Sequence, residues 1–324
     1  MPASFDGNDG NDGNAANAGG AGNSTSISAG WFFADRVNLP LVTEPDTGPH
    51  APSPPEQIGQ LPTINLPHFP ARNWTAGWYS WLALNDFAGT GWQNINPTSP
   101  PSATNPSNPT GPPSPIISPW SWPTWVPYPP PANWSVLNGG ANVQGEIADL
   151  VTAASNERAD ALAEILSQSD EFISYFLNMM TAQPGAYPAT TKVLSIASLV
   201  GTFVAMYFKN VYSRPRPSQL CPALLPPIEI PGHASYPSGH STQAHLMALC
   251  MNDVFNGLPQ QTTMVDDLWT LADCIARNRE IAGLHYRSDT CAGMAFAYWI
   301  HYLLSGAGQT YYQQAVTAAA GEWQ

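Results

Sequence analysis

Proline divides this chain into two parts that must fold by different rules. Twenty-three of its 34 prolines lie between Pro40 and Pro131. Each removes a backbone donor and fixes φ, so long helices and central strands are disfavoured there. Nine of the 12 tryptophans also precede position 135. Large apolar rings at that density argue for anchoring on a neighbouring surface, on this chain or a second copy of it. Residues 28–140 therefore read as an extended, mostly irregular arm that packs on the domain after it, with 97–119 as a loop within it. Residues 1–27 hold mainly Gly, Asn, Asp, Ala and Ser, too little apolar surface to offset ordering, and read as a disordered tail.

Beyond Gly140 the period changes. Ile147, Leu150, Val151, Ala154, Ala161, Leu162, Ile165 and Leu166 recur at helical spacing, which predicts one helix from Gly145 to Gln168. Asp170 is placed to cap a second, running to Met180. Further helices are predicted over Pro188–Tyr212, from Ser238 onward, and over Met264–Ala282, His285–Leu304 and Gln309–Ala320. No strand alternation competes with them. The reading is an all-α domain, residues 141–324, a bundle of about six to seven helices with the Pro/Trp-rich arm over it.

The net charge of −13 and sequence pI of about 4.7 make nucleic acid and anionic membrane surfaces poor partners for the whole chain. Of only ten Lys and Arg, six (Lys209, Arg214, Arg216, Arg277, Arg279 and Arg287) fall between positions 209 and 287. An acidic chain that gathers its few cations in one region is suited to bind an anion there. The four cysteines show no CxxC spacing, and Cys250, Cys274 and Cys291 sit in apolar helical patterns, as buried thiols do. The N-terminus lacks the basic, apolar and small-residue order of a secretory signal, and the apolar run Val193–Phe208 is shorter than the roughly 20 residues a bilayer span needs. The expectation is a soluble, cytoplasmic protein without a transmembrane segment, with a homodimer as an arrangement the aromatic arm allows.

Three short clusters carry chemistry. In Tyr236-Pro237-Ser238-Gly239-His240-Ser241 the proline blocks a helix behind it and an apolar helical pattern follows, so a helix starts at Ser238 or Gly239. Its first N–H groups lack internal partners and carry the positive end of the helix dipole. Gly239 admits an anion close to that backbone, Ser238 caps or donates, and His240 is an acid or base near neutral pH. The second cluster is Lys209 with Arg216, two cations flanking a helix end near Tyr212. The third is Arg279, His285 and Asp289. His285 and Asp289 are four apart, so the carboxylate can hold one ring nitrogen and leave the other basic. Each cluster alone has a plainer reading as a basic patch, a helix cap or a surface pair.

Taken in order, Lys-x6-Arg-Pro, Pro-Ser-Gly-His and Arg-x5-His-x3-Asp resemble the signature of the superfamily that joins type 2 phosphatidic acid phosphatases, bacterial acid phosphatases and vanadium-dependent haloperoxidases. The resemblance covers roughly 145–300. Asn278 departs from it, standing where the family usually has Ser. The resemblance implies that Lys209, Arg216, Ser238, the Gly239 amide and Arg279 hold phosphate or vanadate oxygens. It makes His285 the nucleophile or the vanadium-bound residue, Asp289 its orienter and His240 the general acid/base. A phosphoryl centre with cations around its equator and a group at each pole agrees with that set. Two readings follow. One is a metal-independent phosphatase, needing no cofactor, that hydrolyses phosphomonoesters, lipid phosphate or diphosphate among them, through a phospho-histidine. The other is a vanadate-dependent haloperoxidase. The compact spacing, 22 residues from Arg216 to Ser238 and 41 from Ser238 to Arg279, resembles the acid phosphatases. His233 stands where bromide-oxidising relatives carry a histidine, and is a candidate halide or substrate contact. Arg214 is a lesser candidate for touching substrate, while Arg287 and His245 read as partners of nearby carboxylates.

Overall fold

The computed structural model describes residue 69 and residues 74–95, 141–169 and 171–324. The tail 1–27, most of the arm and the Asp170 cap lie outside the described residues. Ten helices run in chain order among them: α1 (Ala76–Ala88), α2 (Ala141–Asn156), α3 (Arg158–Ser167), α4 (Ile173–Met179), α5 (Pro188–Tyr212), α6 (Pro217–Leu220), α7 (Gly239–Phe255), α8 (Gln261–Ile281), α9 (Arg287–Leu304) and α10 (Thr310–Gly321). No strand occurs among the described residues, so the all-α expectation holds.

Two helices form the centre. α5 opens with Pro188 at its first turn, where a missing N–H costs nothing, and ends at Ser213 in the left-handed region with its N–H on the Lys209 carbonyl. Val193, Leu194, Ile196, Ala197, Val200 and Val204 are all buried on it. α7 is buried on every side from Gly239 to Ala248, as a helix enclosed by others must be. α5, α8 and α9 surround it. Gly293 of α9 shows how close this packing is. A Cβ there would stand 2.7 Å from the Ser238 carbonyl oxygen and 2.8 Å from Ser241 Cβ. Only a glycine lets α9 rest on the first turn of α7.

Four expectations change. The arm is not irregular throughout: α1 occupies the proline-free stretch between Pro70 and Pro97. Its Tyr79, Ala83 and Phe87, one helical face, are buried, and α1 lies along α5 and α10. Trp92 follows it with its ring 4.8 Å from both Phe203 and Tyr207 of α5. The single helix expected over 145–168 is two, α2 and α3. They break at Glu157, where Arg158 turns inward to donate to the carbonyls of Ile281, Leu224 and Leu225. Cys274 is exposed rather than buried, and all four cysteines are free thiols. Finally, the helical run Pro188–Leu220 is long and apolar enough, by length and composition, to cross a bilayer, so the shortness of the Val193–Phe208 run does not by itself exclude a span. Of its apolar window 67% is buried inside the fold, which is how a core helix meets the same criterion.

Candidate active site

The Arg216–Ser238 loop, the first turn of α7 and the start of α9 are stitched together by backbone bonds. Ser235 N–H donates to the Arg214 carbonyl at 2.8 Å, and Ser238 N–H donates to the Asp289 carbonyl at 3.1 Å. Ser238 is the N-cap of α7, its Oγ accepting from Ser241 N–H at 3.4 Å, and Gly239 is the first helical residue. The helix start read from the sequence is thus in place.

His285 lies just before α9, not in it as expected, because Tyr286 is the extended residue that begins the helix. Asp289 still reaches back over that turn. Its Oδ2 accepts from His285 Nδ1 at 3.2 Å, from Tyr286 N–H at 3.1 Å and from Ser235 Oγ at 2.5 Å, and its Oδ1 from Arg214 Nη1 at 2.7 Å. Burial works against its charge. Arg214 and the donors from His285 and Ser235 outweigh that and hold the carboxyl far below its usual range. Bonding through Nδ1 leaves His285 Nε2 with the lone pair. That atom accepts from Arg216 Nη1 at 3.0 Å. Burial, then Arg216 and Lys209, push the His285 pKa well below its ordinary value despite Asp289. The imidazole is therefore neutral at neutral pH, the form that can attack.

Arg216 also donates to the carbonyls of Leu284 and His233, and its Nη2 lies 3.0 Å from His233 Nδ1. Lys209 Nζ donates to the carbonyls of Ala234 and Ser235 at 3.0 and 3.2 Å. Both cations are buried. Leu284 joins them to α8, since its N–H donates to the Arg279 carbonyl at 3.0 Å. Gly283, at φ 81, makes the turn that ends α8 there.

Arg279 differs from its neighbours. Its side chain is fully buried, and Nη2 donates to the Ile165 carbonyl at 3.0 Å, but Nε and Nη1 have no partner among the described residues. Burial pushes its pKa down to about 10. Buried guanidinium donors without an acceptor are costly, so this position suits an anion. His240 reaches the end of the same helix, contacting the carbonyl of Gln168 through Nε2 at 2.9 Å, with its ring centroid 4.9 Å from that of Phe172.

Two lesser expectations resolve differently. Arg214 does not point to a substrate position. It is enclosed by Asp289, Glu146 and Ser288 and lies 3.8 Å over the Tyr286 ring. Arg287 pairs with Glu280 and His245 with Asp273, as read. Sequence reasoning missed Glu146, which anchors Arg214 and both the N–H and Oγ of Ser288, as well as Ser235 and Gln168. Glu146 and Gln168 lie far from the motifs along the chain, and no local pattern marks them.

Residues 190–312, which contain all three motifs, match the PAP2 superfamily. The match is to the group that its motifs resemble. The chain is also similar to decaprenylphosphoryl-5-phosphoribose phosphatase from two strains of Mycobacterium tuberculosis, CDC 1551 / Oshkosh and ATCC 25618 / H37Rv. Each is 28% identical over 116 residues, 36% of this chain. The chain spans 60% of the length of these relatives.

Proposed function

We propose that this protein is a phosphatase that hydrolyses a phosphomonoester through a phospho-histidine, without a metal or organic cofactor. The observation that carries the reading is Arg279, a fully buried guanidinium with two donors unpartnered in the described structure, facing no carboxylate. The phosphate's non-bridging oxygens supply the missing acceptors, shared with Lys209, Arg216, Ser238 Oγ and the Gly239 N–H. Arg216 Nη1 moves from His285 Nε2 to an oxygen, which frees the lone pair. Nε2 then attacks phosphorus, the P–O ester bond breaks, and His240 gives its proton to the leaving oxygen. In the second step His240 takes a proton from water, whose oxygen attacks phosphorus. The N–P bond breaks and inorganic phosphate leaves. Asp289 keeps Nδ1 protonated and neutralises the imidazolium as it forms.

The substrate class we infer is a phosphate on an apolar alcohol. Leu220, Leu225 and Ile230 are exposed on the loop between Arg216 and His233, where a leaving group's alkyl part could lie. The relatives' name, that of a phosphatase for decaprenylphosphoryl-5-phosphoribose, supports this choice. His233, beside Arg216, belongs to the same rim as a substrate contact.

The test is turnover of p-nitrophenyl phosphate and decyl phosphate by purified protein in EDTA, followed by alkaline quench and detection of base-stable, acid-labile phosphate on the protein. Activity with vanadate inhibition and label on His285 supports the reading. Bromide oxidation by peroxide that requires added vanadate, with no ester hydrolysis, replaces it with the haloperoxidase reading.

A further inference from the structure

The general-acid histidine has two ring nitrogens, and its surroundings select between them. His240 Nε2 lies 2.9 Å from the backbone carbonyl of Gln168. A carbonyl only accepts, so Nε2 carries a proton in both the neutral and charged ring. Any proton the ring gives up and regains in turnover must then travel through Nδ1.

Gln168 is well placed to impose this. It terminates α3, and the last carbonyls of a helix have no intrahelical partner. Two of them are taken up by the site: Ile165 by Arg279 and Gln168 by His240. The Gln168 side chain is itself tethered. Asn278 donates through Nδ2 to Gln168 Oε1 at 2.9 Å and to Glu164 Oε2 at 2.8 Å, using both amide hydrogens. Asn278 and Gln168 are both buried. Consecutive residues of α8, Asn278 and Arg279, therefore clamp one turn of α3. Phe172 covers the imidazole from the segment that follows. The residue that departs from the family pattern is the one that tethers the Gln168 side chain.

We propose that Asn278 and Gln168 are positioning residues for His240. They hold the C-terminal turn of α3 so that its carbonyl fixes the Nε2–H tautomer and leaves proton exchange to Nδ1. This rests on His240 being the general acid. The tether adds no bond to substrate; it acts only through the imidazole.

The experiment compares kcat/KM for decyl phosphate, whose leaving group needs a proton, with that for p-nitrophenyl phosphate, whose leaving group does not. The variants are Asn278→Leu, Gln168→Leu, Asn278→Ser and His240→Ala, with Asn278→Leu also made in the His240→Ala background. General acid catalysis contributes about 10²–10⁴-fold, so loosening its donor should cost roughly tenfold or more on decyl phosphate and less than about threefold on p-nitrophenyl phosphate. Asn278→Ser, which keeps one donor, should recover part of the loss. In the His240→Ala background Asn278→Leu should cost nothing further, because the two act as one unit. Ring ¹⁵N shifts of His240 should report Nε2–H in the wild type and a tautomer mixture in Asn278→Leu, a readout independent of activity. Equal losses on both substrates, or a full loss in the His240→Ala background, overturn the tether. So does an Nδ1–H tautomer in the wild type. If His240→Ala itself shows no dependence on leaving group, the general-acid role falls instead.

Discussion

The guanidinium of Arg214 and the carboxylate of Asp289 meet at 2.7 Å with both side chains shut off from water. Arg214 is two residues from Arg216, the arginine proposed to hold the anion, yet its own partner is the carboxylate that bonds His285. Breaking such a buried pair from one side leaves an uncompensated charge, which costs about 3–5 kcal/mol. Arg214→Leu should lose stability on that scale in urea denaturation, with its midpoint lowered and its slope unchanged. A loss under about 1 kcal/mol would mean that Asp289 finds other support.

The same pair predicts how stability depends on pH. The folded pKa of Asp289 is depressed, so its contribution is complete above the unfolded value, about 4. Below that the unfolded chain binds a proton that the folded one refuses, and stability falls as pH falls. Asp289→Asn should flatten that acid-side decline. Parallel curves for variant and wild type would remove Asp289 from its cause.

Arg279 should behave in the opposite way to Arg214. Its buried charge has no carboxylate partner among the described residues, so Arg279→Met should fold at least as well as wild type. It should lose about 10²–10³-fold in kcat, the scale of one lost oxyanion donor. Vanadate should raise the wild-type Tm through mass action and leave that of the variant unmoved. A destabilised variant that still binds vanadate would contradict the assignment.

His285 must be neutral to attack. With its pKa pushed below the ordinary value, the acid limb of kcat/KM that reports its protonation should lie below pH 6.5. NMR titration of the His285 ring should locate the same step. Protonation of that ring at or above 6.5 would sink the account of its environment.

Gly293→Ala tests the closeness of α9 to the site. The added carbon meets the Ser238 carbonyl and Ser241 Cβ, so α9 or the first turn of α7 must shift. Overpacking of this kind costs about 1–3 kcal/mol, and because Ser238 moves with it, kcat should fall more than KM rises. Unchanged stability and turnover would show that the helices part without consequence.

Much of this fold was legible because helices are periodic in one dimension. α5 and α10 lie within a residue or so of their predicted ends, and Ser238 caps α7 as its flanking proline and glycine indicated. Boundaries failed where a distant partner intervened. Glu157 breaks the α2–α3 run because Arg158 bonds carbonyls far along the chain. The helix α1 was obscured by the prolines on either side of it.

The site divides along the same line. Lys209, Arg216, Ser238, Gly239, His240, Arg279, His285 and Asp289 were all named from residue type and spacing, and His285 and Asp289 could be paired because four residues separate them. Which arginine pairs with a carboxylate and which lies against His285 could not be read that way, because Arg214 and Arg216 have the same chemistry and nearly the same address. Nor could the roles of Glu146, Gln168 and Asn278 be read. Their bonds join α2 and α3 to residues more than sixty positions away. Local sequence determines where helices start and which groups they offer. Only the packing of those helices brings a buried donor to its acceptor, or leaves two on Arg279 without one among the described residues, because that pairing is a property of three-dimensional distance and excluded water.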